Sequence, residues 1–372
     1  MDILGIETSC DETAASVVRD GREVLSSVVY TQIPLHQPYG GVVPEIASRA
    51  HVEKIGQVIG MALETGSGRR RVDAVAVTYG PGLAPALIVG LNAAKGLAKA
   101  LEVPLIGINH IEAHLHTPFL YDAGEVPATA GGPEACCPAL GLVISGGNTV
   151  WVDMPEYGRY EVIGETLDDA AGEAFDKAAK LLGLGYPGGL KIDRISQAWR
   201  ESTGAGGETL IPFPKGRPRE GVTALAGLPA ELCVSFSGLK TALLRHVQQH
   251  PELLDAPDGL ADFGGYRVAP AVARVVASYQ EAIVQAVADR TRAALRRRSY
   301  RALVLGGGVS LNSRIRAVLS EVAAAAGVPL LMAKPKYTGD NGAMIAGLAC
   351  YRRNHVEDAM SLDANPSLEV GR

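Results

Sequence analysis

Two parts of the chain repeat one pattern, in which a short apolar run, a small polar turn and a second apolar run follow one another. The first copy covers residues 3–18 with its turn at 7–13, and the second covers residues 140–152 with its turn at 145–149. Apolar runs of this length around a turn predict buried strands joined as a hairpin. A hairpin that recurs in both halves indicates two related structural units in one chain.

The segments between and after the hairpins alternate between strand and helix patterns. Apolar strands are predicted at 73–78 and 302–305, and each runs into a glycine turn. Helices are predicted at 84–101, 170–182, 239–249, 271–298 and after residue 312, with a long irregular stretch over 186–237. Strands that alternate with helices imply an α/β fold with mainly parallel central pairing.

Length and composition limit the classes of protein to which this chain can belong. With 372 residues, of which 47% are hydrophobic and 20% charged, the chain exceeds the usual single-domain range. The net charge of −5 argues against a globally basic nucleic-acid binder, although arginine clusters at 69–71 and 296–298 could contact phosphates. Five cysteines without framework spacing, no leader-like start and no apolar run of about 18 residues indicate a cytoplasmic protein without a membrane span.

A histidine pair, His110 and His114, is a candidate half of a metal site. On a helix, with about 100° per residue, the two imidazoles lie about 40° apart around the axis and can reach one ion. Glu112 points about 200° away from His110, and the order H-I-E-A-H differs from the H-E-x-x-H of zinc proteases. Asp340, in a turn before a predicted helix, is the best candidate for a third ligand. A surface or core histidine pair and a simple helix cap at Asp340 are the alternatives.

Two glycine turns that follow strands, at 145–148 and 306–308, are candidate anion sites. Without a Cβ, backbone N–H groups can approach a phosphate closely. Two ordinary tight turns are the alternative, since the chain has 44 glycines. Asp176 and Asp193 flank the loop 185–189 and could hold ribose hydroxyls, with a solvated acidic face as the alternative.

The paired hairpins resemble the phosphate-facing hairpins of the actin, hexokinase and Hsp70 superfamily, and the triple glycine at 306–308 resembles its adenosine motif. This resemblance implies two actin/Hsp70-like (ASKHA, RNase H-like) domains that flank a nucleotide- and metal-binding cleft. We expect an N-terminal domain at 1–138, a C-terminal domain with helical insertions at 139–350 and a tail at 351–372. The last helix of the chain is a candidate to pack back on the N-terminal domain.

Eight segments, in collinear order, resemble one family within this superfamily. They are GIETSCDET at 5–13, GVVPEIASRAH at 41–51, NHIEAH at 109–114, SGGNT at 145–149, GETLDDA at 164–170, GEAFDK at 172–177, SFSGLKT at 235–241 and GDNG at 339–342. In these segments the chain is similar to the universal tRNA N6-adenosine threonylcarbamoyltransferases. That family includes the bacterial transferase and the catalytic subunit of the KEOPS complex, and was formerly called O-sialoglycoprotein endopeptidase.

The resemblance implies a reaction and a set of site residues. The threonylcarbamoyl group of threonylcarbamoyl-AMP would move to N6 of the adenosine at position 37 of tRNAs that read codons beginning with adenine. One divalent metal ion, iron or alternatively zinc, would be bound by His110, His114 and Asp340. The adenylate or an adenine nucleotide would be bound by Ile144, Ser145, Gly146, Gly147, Asn148, Asp176, Gly189, Asp193 and Asn312. Asp11 and Glu12, in the first turn, could act as base or orienter for the adenosine amine, or merely cap the turn.

The resemblance also implies partners. These are tRNA, an adenylate-forming enzyme that supplies the substrate, and accessory proteins of the pathway. The accessory proteins are a degenerate paralogue and a small ATPase in bacteria, or the KEOPS subunits in archaea and eukaryotes. Asn148 stands where bacterial members usually have histidine, which leaves the choice between these sets open, and Leu190 stands where proline is common.

Four other functions are the alternatives. A secreted metalloprotease lacks the H-E-x-x-H glutamate, and a sugar or acetate kinase of the same superfamily has no need of the histidine pair. A natural-product carbamoyltransferase generally carries a further C-terminal domain, for which 372 residues leave little room. A nucleotide-dependent scaffold or sensor with a structural metal would retain its activity after the loss of His110.

Overall fold

The computed structural model describes residues 1–66, 68–127, 131–204, 209–218, 227–254, 259–352 and 361–371. Its strands are β1 (Asp2–Glu7), β2 (Glu12–Arg19), β3 (Glu23–Thr31), β4 (Glu64–Thr65), β5 (Gly68–Arg69), β6 (Ala74–Gly80), β7 (Leu105–Asn109), β8 (Tyr121–Asp122), β9 (Ala139–Ile144), β10 (Thr149–Met154), β11 (Glu161–Glu165), β12 (Ala261–Phe263), β13 (Tyr266–Val268), β14 (Ala302–Gly306) and β15 (Leu330–Met332). Its helices are α1 (Ile33–His36), α2 (Pro44–Leu63), α3 (Ala84–Leu101), α4 (His110–His116), α5 (Ala171–Leu181), α6 (Gly188–Thr203), α7 (Ser237–Gln249), α8 (Pro270–Leu295), α9 (Ser313–Ala325) and α10 (Gly342–Arg352).

Two sheets repeat one strand order. The first has the order β7-β6-β1-β2-β3-β8 and the second β11-β10-β9-β14-β15. In each sheet the hairpin, β1–β2 or β9–β10, is antiparallel, and its first strand pairs in parallel with a later strand, β6 or β14. Both hairpin turns therefore lie at the carboxyl edge of the parallel strands, where α/β proteins bind ligands.

The first sheet is buried on both faces, which explains the near-continuous apolar runs in its strands. Ile3 and Val18 face one side, where they pack against α10. Leu4 and Ile6 face the other side, where they pack against residues of α2 and α3. This alternation follows from the two-residue period of a strand.

Helix α4 lies between the two sheets, and all 7 of its residues are buried. Ala113 packs with the first sheet. Ile111 and Leu115 pack on the other side with Val143 and Val152 of the second sheet. The helix that carries the histidine pair is therefore held by both halves of the molecule.

The opposite face of the second sheet is covered by α5 to α9 in a single large core. Trp151 of β10 is fully buried there with Phe175 of α5 and Trp199 of α6. Its indole Nε1 donates a hydrogen bond to Thr291 Oγ1 at 3.0 Å, which satisfies the polar atom of a buried aromatic residue.

The prediction of an irregular stretch over 186–237 was wrong at its start, because α6 covers Gly188–Thr203. The buried residues Ile192, Ile195 and Trp199 recur at helical spacing, but the two glycines at 188 and 189 weaken the helix signal where the helix begins. Helix α2 was also not predicted. It begins at Pro44, whose fixed φ suits the first helical position.

Helix α10 returns to the first sheet near the end of the described chain, and its Met344 packs with Ile3. Two glycines permit this contact. A Cβ on Gly5 would lie 2.2 Å from the Gly342 carbonyl oxygen, and a Cβ on Gly342 would lie 2.6 Å from the Gly5 oxygen. The backbone of α10 therefore starts directly against β1, and the turn that precedes it, with Asp340, lies at the sheet edge.

The C-terminal segment is only partly described, because residues 353–360 and 372 of the expected tail lie outside the described ranges. Leu362 and Ala364 pack with the first sheet, whereas Val370 packs with residues of both halves. Asn365 N donates to Tyr79 O at 2.7 Å, and Asn109 Nδ2 donates to Glu369 O at 3.0 Å. Among the described helices, none combines the length and apolar character needed to cross a bilayer.

Candidate metal centre and nucleotide cleft

The histidine pair is placed by the junction of β7 and α4. Asn109 ends the strand, and its Oδ1 accepts hydrogen bonds from the amides of Ile111 at 2.9 Å and Glu112 at 3.3 Å. This N-cap starts the helix at His110, immediately at the carboxyl edge of the first sheet. One turn later His114 lies on the same helix face, and the two Nε2 atoms are 3.2 Å apart.

Asp340 completes the cluster from a distant part of the chain. Its Oδ1 lies 3.1 Å from His114 Nε2 and 3.6 Å from His110 Nε2. The alternative role of Asp340 was to cap the following helix. Asn341 caps that helix instead, since its Oδ1 accepts from Met344 N at 3.0 Å. The structure therefore brings all three predicted metal ligands together, with their ligand atoms within 4.8 Å of one another.

The donor set suits a divalent transition metal. Two imidazole nitrogens and one carboxylate oxygen converge on a single point, a combination typical of zinc and non-haem iron sites with open positions. His114 is fully buried, while His110 and Asp340 line a cavity. A bound ion would therefore have protein on one side and open coordination positions toward the cavity.

Glu7 orients His110. Its side chain is completely buried at the end of β1. One carboxylate oxygen accepts from Ser9 N at 2.5 Å, and the other accepts from Thr78 Oγ1 at 2.5 Å and lies 3.0 Å from His110 Nδ1. A carboxylate at Nδ1 favours the tautomer that leaves Nε2 free for a metal. The sequence analysis did not assign Glu7, although a glutamate that ends an otherwise apolar strand was the available signal.

Opposite charges shift the pKa values of this cluster. Burial lowers the pKa of His110, but Glu7 and Asp340 outweigh it and raise the pKa to about 9. Burial raises the pKa of Asp340, whereas the two histidines hold it at about 2. A cation that binds between these carboxylates takes the place of the His110 proton, so metal binding and deprotonation are coupled.

A cavity of about 600 Å³ opens beside the histidine pair. The predicted site residues that line it are Asp11, Glu12, His110, Ser145, Gly146, Gly147, Asn148 and Asp340. Gly308 of the predicted glycine turn also lines it, and residues that line it without having been predicted as binding residues include Ser9, Cys10, Tyr186, Pro187 and Pro366. Its volume lies within the range of small-molecule sites, about 300 to 1,000 Å³. Both hairpin turns and the metal cluster therefore face one ligand-sized space.

The turn of the second hairpin presents free backbone amides to this space. Ser145 N donates to Asn148 O at 2.8 Å, and Asn148 N donates to Ser145 Oγ at 3.1 Å. These bonds close the turn and leave the exposed amides of Gly146 and Gly147 without an acceptor among the described residues. Such an arrangement of N–H groups is suited to an anion.

The glycine turn after β14 packs against the same hairpin. Gly307 has φ +86°, and a Cβ at this position would lie 2.4 Å from the carbonyl oxygen of Ile144. Only glycine fits this conformation and this close approach. The next residue, Gly308, lines the cavity.

The two acids of the first turn face the cavity as a pair. Burial, with Asp11 as the next cause, raises the pKa of Glu12 to about 10. Thr31 Oγ1 donates to Glu12 Oε1 at 3.2 Å. No backbone amide in the described part of the chain donates to either carboxylate, so neither acid caps the turn. The raised pKa favours the protonated form of Glu12 within this pair.

Sequence comparisons identify the family. A family model described as TsaD, tRNA N6-adenosine threonylcarbamoyltransferase, matches residues 23–347. A curated protein with this name from Geobacter sp. (strain M21) is 44% identical over 368 residues, which are 98% of this chain and 96% of the relative. Another from Anaeromyxobacter dehalogenans (strain 2CP-C) is 48% identical over 346 residues, 92% of each chain. The chain belongs to the tRNA N6-adenosine threonylcarbamoyltransferase family.

Membership confirms the predicted function and enzyme class. The transferase moves a threonylcarbamoyl group to N6 of an adenosine in tRNA. The family consists of metalloenzymes, and the cluster of His110, His114 and Asp340 is the candidate metal site of this member.

Comparison with solved structures confirms the fold class. The (R)-2-hydroxyglutaryl-CoA dehydratase component A of Acidaminococcus fermentans aligns with a TM-score of 0.50 at 12% identity, over 95% of this chain and 99% of that chain. T. kodakarensis HypF aligns with a TM-score of 0.56 at 14% identity, over 97% of this chain and 49% of that chain. At such identities the likeness shows the fold alone, which is the actin/Hsp70-like ASKHA fold.

The remaining residues predicted to bind the nucleotide in the transferase do not line the cavity. Asp176 accepts from Gly188 N, the first residue of α6, at 2.7 Å, and Gly189 follows it. Asp193 accepts from Ser313 N at 3.0 Å and from Ser313 Oγ at 2.8 Å at the start of α9. Asn312 caps α9, and its buried Nδ2 has no partner among the described residues. Gly189 and Asn312 lie at the starts of α6 and α9, and the carboxylates of Asp176 and Asp193 reach those two starts from within α5 and α6. Ile144 is buried behind the second turn.

Proposed function

We propose that the transferase takes its threonylcarbamoyl group from threonylcarbamoyl-AMP and places it on the adenosine at position 37 of tRNAs that read codons beginning with adenine. The observation that carries this proposal is the convergence of three features on one cavity. These are the metal-ligand cluster, the pair of acids in the first turn and the free amides of the second turn. An adenylate with a transferable acyl group uses all three features.

In the proposed reaction the N6 amine attacks the carbamoyl carbon, and the bond from that carbon to the phosphate oxygen breaks to release AMP. One proton leaves N6. We assign its acceptance to Asp11, while Glu12, whose raised pKa favours its protonated form, would donate a hydrogen bond within the pair. The amides of Gly146 and Gly147 would stabilise the charge on the departing phosphate.

The metal proposed for the cluster is iron, with zinc as the alternative. The set of two imidazoles and one carboxylate supports either ion. When bound, the ion would supply a Lewis acid for the carbamoyl carbonyl or for the phosphate. Glu7 would hold His110 in the tautomer that can bind this ion.

We propose two different roles for the predicted nucleotide residues. The residues of the second turn, Ser145 to Asn148, would hold the phosphate and the acyl group, because the turn faces the cavity, and Ile144 would support the turn from behind. Asp176, Gly189, Asp193 and Asn312 would position or contact the adenosine end through the starts of α6 and α9. The unpartnered Nδ2 of Asn312 supports this second assignment.

The proposed partners are tRNA, an adenylate-forming enzyme that supplies threonylcarbamoyl-AMP, and accessory proteins in the cytoplasm. The curated relatives described above come from bacteria, which supports a degenerate paralogue and a small ATPase as the accessory set. Asn148 supports the KEOPS-type set instead. Reconstitution with each set decides between them.

The test is a complete reconstitution. The chain, each accessory set in turn, the adenylate-forming enzyme, threonine, bicarbonate, ATP and tRNA are combined, and the digested tRNA is analysed by mass for threonylcarbamoyladenosine. We expect product with one set, and none when the adenosine at position 37 is replaced by guanosine. Absence of product with both sets would overturn the proposal.

Substitutions at His110 and at a control histidine test whether loss of transfer is specific to the active site. His110→Ala is expected to abolish transfer, whereas His250→Ala, which removes an exposed histidine on α7's C-terminal side, should leave it intact. Transfer that survived in His110→Ala would favour a structural metal. An Asp11→Ala protein that folds and retains full activity would remove Asp11 from the mechanism.

A further inference from the structure

A second cavity, of about 330 Å³, lies in the C-terminal half outside the cleft. Two chain segments form it, one around Arg217 and the other from Ser235 to Arg245 at the start of α7. Its lining combines these two guanidinium groups with hydroxyl groups and the first turn of a helix. None of these residues belongs to the predicted site.

The two arginines are exposed and form no ion pair within the described part of the chain. Arg217 and Arg245 make no ion pair with any described carboxylate, whereas Arg19, Arg200 and Arg314 are each paired with one. Lys215 and Lys240, also exposed and unpaired within the described ranges, neighbour the pocket residues in the chain. Two guanidinium groups that line one pocket without an ion pair in the described chain give this surface local positive charge, although the net charge of the chain is −5.

The first turn of α7 adds neutral donors. Asp168 Oδ1 accepts from the amides of Phe236 at 2.7 Å and Ser237 at 3.3 Å, and its Oδ2 accepts from Ser235 Oγ at 2.5 Å. The next two amides, those of Gly238 and Leu239, have no acceptor among the described residues, and both residues line the pocket. Free amides at the start of a helix favour an anion.

A buried arginine joins the two segments beneath the pocket. Arg290 of α8 donates from Nε to Cys233 O at 2.9 Å and from Nη2 to Gly216 O at 3.2 Å. Ser235 N donates to the same Gly216 oxygen at 3.1 Å. The pocket is therefore a fixed structure rather than a chance meeting of surface loops, and Arg290 adds positive charge from below.

One loop connects the pocket to the nucleotide cleft. Thr166 N donates to Thr149 O at 2.9 Å and Gly172 N donates to Ser145 O at 3.2 Å, so both ends of the loop contact the second hairpin. Asp168, between them, holds the turn of Ser235 to Ser237. Residues 166–172 thus connect the pocket to the second hairpin of the cleft through hydrogen bonds at both sites.

We propose that this basic pocket binds a backbone phosphate of the tRNA substrate while the target adenosine occupies the cleft. The proposal rests on the proposed function, because tRNA is the polyanion that must lie across the cleft. Arg217 and Arg245 would contact the phosphate oxygens through their planar guanidinium groups, and the free amides of Gly238 and Leu239 would complete the shell. An acidic protein that binds RNA needs such local sites, since its overall charge is repulsive.

The test compares a double variant with a matched control. Arg217→Gln/Arg245→Gln removes the two charges from the pocket, and Arg296→Gln/Arg297→Gln removes two charges from another exposed cluster. The affinity of each full-length protein for tRNA is measured by filter binding over a series of KCl concentrations, together with AMP binding and the KM for tRNA in the reconstituted reaction. Circular dichroism verifies that each variant is folded.

We expect the pocket variant to bind tRNA more weakly, with the slope of log K against log [KCl] smaller in magnitude by about 0.7 to 0.9, which corresponds to one phosphate that is no longer neutralised. The KM for tRNA should rise and AMP binding should not change. An unchanged slope, an equal loss in the control variant, or an equal loss of AMP affinity would each overturn the proposal. If the pocket variant shows the smaller slope but the wild-type protein never forms product, the proposed function is overturned and the pocket assignment remains.

Discussion

Replacing Glu7 with glutamine tests whether a buried carboxylate prepares His110 for a metal ion. The substitution preserves size and removes the charge. Each oxygen of Glu7 accepts a hydrogen bond, one from Ser9 N and the other from Thr78 Oγ1, and the second also faces His110 Nδ1. Glutamine has one oxygen, so its NH₂ group meets a donor in either orientation.

The size of the effect follows from this geometry. One or two buried hydrogen bonds are lost, each worth about 1 to 3 kcal/mol when the remaining partner stays buried. Without the carboxylate charge the tautomer of His110 with a free Nε2 is less favoured, and a weakened partner of this kind lowers metal affinity by about 10- to 100-fold. In free energy this is about 1.4 to 2.7 kcal/mol.

The assay is competition for zinc with a chromophoric chelator at constant pH, and Glu112→Gln is the matched control. Glu112 is also a buried glutamate, lies on the same helix as the metal ligands and pairs with Arg352. We expect it to lose stability but to retain its zinc affinity. If folded Glu7→Gln bound zinc with wild-type affinity, or if Glu112→Gln lost as much affinity, the role of Glu7 would be refuted.

Three further predictions concern stability and packing. Burial lowers the pKa of His116 from its ordinary 6.5 to about 4, so its neutral form stabilises the fold above about pH 6.5 and this contribution, about 3 kcal/mol, is lost as the pH falls toward 4. Urea unfolding from pH 7 to 4.5 should show this loss in the wild type, and an equal loss in His116→Gln would contradict the assignment. Gly342→Ala should destabilise the protein by about 1 to 3 kcal/mol and weaken zinc binding, because the new Cβ meets the backbone of β1. Gly339→Ala, in the same turn with open space around its Cβ position, should be close to neutral in both measurements. Gly307→Ala should reduce AMP affinity and stability, since φ is +86° and the Ile144 oxygen lies 2.4 Å from the new Cβ, and wild-type values in calorimetry would exclude that role for the turn.

Local patterns in the sequence were sufficient to predict the strands, helix and turns that carry the site. A short window of residues is enough to show the spacing of apolar residues in each element. This holds for the two hairpins, the strand at 302–305 and the helix at 84–101. The four-residue spacing of His110 and His114 determines that both imidazoles share one helix face. The glycine turns follow from residues that lie next to one another. In all these cases the information is contained within a few turns of chain.

Contacts between residues that are distant in the sequence could not be predicted from local patterns. Glu7 meets Thr78 and His110 because β1, β6 and β7 are neighbours in one sheet, and Asp340 meets the histidines because glycine lets α10 approach β1. No spacing along the chain encodes these distances. The start of α6 was missed because its glycines oppose helix formation locally, and packing of Trp199 and Ile195 into the core outweighs that preference.

The sequence by itself determined the family, the α/β class, the hairpin turns and the histidine pair, since all of these depend on residue type and local period. Only the tertiary structure decided that Asp340 joins the pair, that Glu7 orients it, and that Asp193 holds the start of α9 outside the cavity. The same holds for the basic pocket of Arg217 and Arg245. The physical reason is that a site forms where burial and sheet order bring side chains together, and those are properties of the whole folded chain.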